Sequence, residues 1–159
     1  MKATISGTIN SDTIICKRTS GTPDIIPIDA TLQDDLQCTL IGEFKSENTP
    51  DRHVRLYFHV EKIEPYTTDG DVNSIEFDGF VCKSPVSRTT PLGRKITDLL
   101  IAVNSSPFES DYLPCVVWGN CPTLKIGDYV SITGRIQSRV YHGNKIAYEV
   151  SVTCLKSHF

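Results

Sequence analysis

Three short motifs each occur twice in this chain, in the same order, and that repeat restricts the fold to something built from two related halves. Gly7 in ISGTI matches Gly79 in FDGFV, DIIP (24–27) matches DYLP (111–114), and Gly42 in LIGEFKSE matches Gly134 in ITGRIQSR. From Gly42 to Ile63 is 21 positions, the same as from Gly134 to Leu155. Elsewhere the first copy is shorter. Gly7 to Pro27 is 20 positions against 35 for Gly79 to Pro114, and Pro27 to Gly42 is 15 against 20. The larger deficit matches one strand plus a loop, so the first unit is expected to have lost, or kept only in part, the counterpart of 96–103. The boundaries that follow are a shortened unit over 1–66, a polar, turn-rich linker at 67–74 within YTTDGDVNS, and a full unit over 75–159.

The local pattern is all-β. IEFDGFV (75–81) alternates around Gly79, and a glycine within a strand marks a bend or bulge. ITDLLIAV (96–103) places Leu99, Ile101 and Val103 on one side, and YLPCVVWG (112–119) does the same with Leu113, Cys115 and Val117. YVSITGRIQSRVY (129–141) is expected to bury Val130, Ile132, Ile136 and Val140, and IAYEVSVTC (146–154) to bury Ile146, Tyr148, Val150 and Val152, with a hairpin turn at HGNK (142–145). Neither half shows helical periodicity. Five short strands with a bent first strand point to a small closed barrel of the OB-fold type, with a five-stranded sandwich as the alternative.

Composition removes several classes. At 39% hydrophobic and 22% charged residues over 159 positions, the chain is not disordered. No apolar run approaches the ~18 residues of a membrane helix, and MKATISGTINSD is no secretory signal. Six cysteines without a C-x-x-C pair read as reduced thiols of a cytoplasmic protein, and the Cys and His spacing fits no metal site. No Gly-rich phosphate loop, H-E-x-x-H or paired-carboxylate pattern is present, and the four His have no Cys or Ser partner in a triad-like context. An enzyme, a cofactor and a small-molecule substrate are therefore not expected.

Charge and strand parity point to another chemistry. Residues 1–72 carry 7 Lys/Arg against 12 Asp/Glu, and residues 73–159 carry 9 against 7. A nucleic acid would therefore meet the second half. Single strands are held by bases stacking on aromatic rings and by Lys/Arg neutralising phosphates. Tyr112 and Trp118 lie six positions apart, on the side opposite Leu113, Cys115 and Val117. Arg135, Arg139 and Tyr141 share the non-core side of the next long strand. Arg88, Arg94 and Lys95 fall in SPVSRTTPLGRK (84–95), read as a loop, and Lys145 at the hairpin. Each residue alone also suits a structural role, Trp118 as core and the arginines as a solvated face; their joint placement favours binding.

The stretches RTTPLGRKITDLLIAVN (88–104), DYLPCVVWGN (111–120), KIGDYVSITGRIQSR (125–139) and AYEVSV (147–152) resemble the bacterial single-stranded DNA-binding protein family, and the whole chain resembles its two-OB form found in clostridia and related bacteria. The resemblance implies OB-folds that bind single-stranded DNA without strong sequence preference in replication, recombination or repair. It also implies stacking roles for Tyr112, Trp118 and Tyr141, with Phe108 close to a further aromatic position. Three departures stand out. The family's helix between the third and fourth strands is shortened to about NCPTLK (120–125), and the family's acidic tail is expected to be missing after CLKSHF. In the first unit Ile25, Thr31 and Thr49 stand at the positions of Tyr112, Trp118 and Tyr141. That acidic unit is expected not to bind DNA but to pack against the second unit or another chain, so that two chains, a homodimer, supply four OB-like units. The competing reading is an OB-fold assembly module without nucleic acid.

Overall fold

Alternate side chains of an extended chain fall on opposite faces, so each apolar/polar alternation can bury one face and leave the other outside. The computed structural model describes residues 1–51, 53–67, 69–141 and 143–158. Its strands are β1 (Lys2–Asn10), β2 (Thr13–Cys16), β3 (Asp24–Pro27), β4 (Gln37–Asn48), β5 (Val54–Pro65), β6 (Asn73–Val81), β7 (Val86–Thr89), β8 (Lys95–Ser106), β9 (Glu109–Trp118), β10 (Tyr129–Tyr141) and β11 (Lys145–His158). Among the described residues no helix is long and apolar enough to cross a membrane.

The strands close into two barrels. In the second, β6 pairs with β8 and β10, β8 with β9, β9 in parallel with β11, and β11 with β10. That ring has the pairing order of an OB-fold, and closure removes the sandwich alternative. In the first, β1 pairs with β2 and β4, β2 with β3 and β4 with β5, and a parallel bridge from Ile28 to Phe58 completes the ring. The first barrel is the reduced one: β2 has 4 residues where its counterpart β8 has 12. Ile5, Leu40, Phe44 and Phe58 fill the first barrel, and Ile75, Ile101, Leu113 and Ile132 the second.

Closure explains the paired glycines. A Cβ on Gly42 would lie 1.8 Å from the His59 carbonyl oxygen, and one on Gly134 would lie 2.2 Å from that of Ser151. The ladder slips between Ile41 and Gly42 and again between Thr133 and Gly134, so each glycine sits beside a bulge that sharpens the strand's bend.

The two units join edge to edge. β1 runs antiparallel to β6 with Ala3 opposite Ile75, and the repeat makes those two residues counterparts of each other. A local two-fold axis therefore passes between them. The same axis relates two latches. The Ser138 N–H donates to Asp24 Oδ1 at 3.0 Å while the Ile25 N–H donates to Ser138 Oγ at 2.9 Å. The Ser46 N–H donates to Asp111 Oδ1 at 2.9 Å while the Tyr112 N–H donates to Ser46 Oγ at 2.8 Å. Asp24 is fully buried and also receives Arg18 and Arg135; Asp111 also receives Lys45 at 3.0 Å. The connecting segment is held as well, with Val72 and Ser6 exchanging two hydrogen bonds and the Asn73 amide clamping the Ile136 backbone on both sides.

Several local expectations change. The segment 84–95 is not a plain loop: Val86–Thr89 pairs with Lys95–Asp98 across a turn in which Gly93 takes φ 82°. Residues 120–125 form no helical turn, although Leu124 still plugs the second core. Val140 and Ile146 are 66% and 48% exposed, because the β10–β11 hairpin runs on past the end of the barrel. Tyr141 faces Lys145 at the tip of that hairpin, and His142 of the expected turn lies outside the described residues.

Candidate nucleic-acid interface

The outer side of β9 carries two open rings. Tyr112 is 45% and Trp118 44% exposed, while Leu113, Cys115 and Val117 between them are buried in the barrel. Six residues of strand separate the rings by about 20 Å. The indole Nε1–H donates to Ser151 Oγ at 3.2 Å, which fixes one edge of the Trp118 ring and leaves a face open.

Trp118 walls a cleft of about 180 Å³ floored by Ile96 and Val116, into which Arg88, Arg139 and Glu149 converge. The β7–β8 hairpin brings Arg88 there, its Nε 2.7 Å from Asp98. That bond to Asp98 raises the guanidinium pKa above its ordinary value. Arg139 comes from β10, with Nε 2.7 Å from Glu149 Oε1 and its guanidinium 5.7 Å from the centre of the Tyr141 ring, within cation–π range. Gln137 donates to the same Glu149 oxygen at 2.9 Å. The structure thus brings together Trp118, Arg88 and Arg139, with Tyr141 next to Arg139.

The other expected residues are spread around this centre. Phe108 is 96% exposed at the tip of the β8–β9 hairpin. Arg94 and Lys95 close the β7–β8 turn, and Lys145 begins β11; none of the three makes an ion pair among the described residues. Tyr141 also lines a groove of about 340 Å³ with Leu56, Ile146 and Tyr148, where the first unit meets the β10–β11 hairpin. Arg135 is placed elsewhere. Its guanidinium lies 2.7 Å from buried Asp24 of the first unit and 3.2 Å from Gln137, so it joins the seam between the barrels.

The first unit's corresponding surface differs in both terms. Ile25 occupies the backbone position of Tyr112, with the mirrored bond to the opposite serine. Its cations are matched by acids: Lys45 lies 3.0 Å from Asp111 and 3.8 Å from Glu43, and Arg55 lies 2.9 Å from Glu47. One histidine departs from the sequence reading. His158 Nε2 lies 2.6 Å from Ser131 Oγ, and that hydroxyl donates to Asp78 at 2.5 Å. The carboxylate orients the serine rather than the imidazole, the reverse of a nucleophilic triad.

Residues 72–157 match the family model described as the single-strand binding protein family. Among curated proteins, single-stranded DNA-binding protein 3 of Listeria innocua is 34% identical over 85 residues, 46% of this chain and 52% of that protein. The single-stranded DNA-binding protein of Halalkalibacterium halodurans is 33% identical over 86 residues, 46% of this chain and 51% of that protein. The chain therefore spans about half the length of the curated relatives it matches. Among solved structures, the single-stranded DNA-binding protein of Thermus aquaticus superposes with a TM-score of 0.77 at 15% identity, covering 99% of this chain and 92% of that one. That likeness is one of fold, and it takes in both barrels.

Proposed function

The chain belongs to the single-strand binding protein family, and from that premise we propose that it binds single-stranded DNA, with little overall sequence preference, in replication, recombination or repair. Residues 75–159 do the binding. Bases stack on Trp118, Tyr112, Tyr141 and Phe108, and phosphates meet Arg94, Lys95 and Lys145, with Arg88 and Arg139 in the Trp118 cleft. The observation that carries this reading is the half-open indole walling a cleft into which two guanidinium groups converge. Stacking on such a ring contributes about 1–3 kcal/mol per base. Residues 1–66 serve the architecture, holding the second barrel through the β1–β6 seam and the two latches. No cofactor or catalysis enters. Two chains supply four OB-like units in the cytoplasm, where the free thiols remain reduced.

Trp118 is the only tryptophan, so titrating oligo-dT against intrinsic fluorescence tests the proposal directly. Quenching that weakens as salt rises is the expected result. A folded protein whose fluorescence and oligo anisotropy both ignore oligo-dT would favour the assembly-module reading instead. Sedimentation at micromolar concentration tests the oligomer, and a single 17.7 kDa species would remove the homodimer.

A further inference from the structure

Arg139 is tied down by one edge, and that decides what it can offer a strand. Its Nε donates to Glu149 Oε1 at 2.7 Å, and the Gln137 amide donates to the same oxygen at 2.9 Å. Glu149 and Gln137 are both buried. The Gln137 oxygen takes the Arg135 guanidinium at 3.2 Å, and Arg135 is held 2.7 Å from the fully buried Asp24 of the first unit. Turning the Gln137 amide over would set donor against donor at one end and acceptor against acceptor at the other. A continuous run of hydrogen bonds thus reaches from the first barrel to the cleft and fixes the Nε edge of Arg139.

The two arginines of the cleft differ in how freely they can leave their carboxylates. The Asp98 side chain is 38% exposed, so water can replace Arg88 there, whereas that of Glu149 is only 7% exposed and would be left as a buried, uncompensated charge. Thr90, also in the lining, adds a hydroxyl and no charge. Arg139 is therefore a poor phosphate ligand, yet its side chain is 45% exposed and lines the cleft with Trp118, Ile96 and Val116. What it still offers is surface. A guanidinium is planar, more weakly hydrated than an ammonium and stacks on aromatic faces. Arg139 already lies 5.7 Å from the centre of the Tyr141 ring. We propose that Arg139 meets a base rather than a phosphate: a base resting against the Trp118 indole also packs on the Arg139 guanidinium. Every base has a π-face, so this contact is indifferent to base identity. The inference rests on the reading of residues 75–159 as the strand-binding unit and assigns Arg139 of that site to the bases.

Anisotropy of a labelled oligo-dT, titrated at several salt concentrations, separates the two roles. Arg139→Lys keeps a positive charge beside Glu149 and removes the plane. It should weaken binding about fivefold, the scale of a cation–π contact. A phosphate contact would behave otherwise, because an ammonium serves a phosphate as a point charge. A folded Arg139→Lys protein with wild-type affinity therefore overturns the platform. The second variant removes the ion pair as a unit, Arg139→Gln with Glu149→Gln, and takes away no net charge. It should also bind more weakly, while its slope of log affinity against log salt stays at the wild-type value. A slope shallower by about 0.7 would show that Arg139 neutralises a phosphate and overturns the platform, as would unchanged affinity. Either variant alone decides the matter if the other does not fold. Absence of any binding by the wild-type protein overturns the strand-binding reading itself.

Discussion

The cations proposed to face the strand fall into two groups, and the salt dependence of binding tells which group meets phosphate. Arg94, Lys95 and Lys145 have no ion pair among the described residues, whereas Arg88 and Arg139 are each held 2.7 Å from a carboxylate. A paired arginine that turned to a phosphate would leave Asp98 or Glu149 uncompensated beside the same phosphate, so little is gained by the exchange. A single strand gives a slope of about −0.7 per neutralised phosphate in a plot of log affinity against log salt, so three free cations predict about −2 and all five about −3.5. Over a fourfold rise in salt these slopes correspond to losses of roughly 16-fold and 130-fold, which a fluorescence titration separates easily. Asp98→Asn releases Arg88 and should raise affinity while steepening the slope by about 0.7; Lys95→Ala should make it shallower by the same amount. A wild-type slope of about −3.5 or steeper would show that the ion pairs open on binding. An Asp98→Asn slope equal to wild type would show that the strand does not pass Arg88.

Trp118→Ala should lose about 1–3 kcal/mol of oligo-dT affinity, measured by anisotropy because the intrinsic reporter is gone; a folded variant with unchanged affinity removes Trp118 from the interface. Asp24→Ala strips the partner from the Ser138 N–H and from two guanidinium groups. Breaking a buried pair costs about 3–5 kcal/mol, and the 27% exposure of both arginine side chains lowers the expectation to about 2–3 kcal/mol in urea unfolding. A loss below about 1 kcal/mol would mean that the latch does not hold the seam. Among the thiols, exposed Cys154 should react first with a thiol reagent at neutral pH. Burial, helped by the charges of Asp71 and Asp24, pushes the Cys16 thiol up to about 12, and burial also raises the fully enclosed Cys115, so both should label only on unfolding. Labelling of Cys115 as fast as Cys154 in native buffer would contradict that order.

What can be read from one strand at a time was legible in the amino-acid order, and what depends on a second strand was not. The spacing of Gly42 and Gly134 exposed the repeat because barrel closure leaves no room for a Cβ at either place. Period-2 parity placed Tyr112 and Trp118 outside the core, since parity is a property of the strand alone. Parity says which side a residue faces and not whether anything covers it, so Val140 and Ile146 kept their alternation beyond the point where the barrel ends. The arginines were harder still. Arg135 and Arg139 lie on the side that alternation gives them, but Asp24 arrives from the other unit and Glu149 from the neighbouring strand. Asp24 and Asp111 lay within one repeated motif and their partners Ser138 and Ser46 within another, yet only the two-fold axis shows that each motif bonds to the opposite copy of the other. A count of basic residues on the outward face therefore overstates the positive charge a strand can reach. Three of the four arginines read as phosphate contacts, Arg88, Arg135 and Arg139, are already neutralised. Stacking must then carry a larger share of affinity than the residue count implies, and the slope of affinity against salt measures that share.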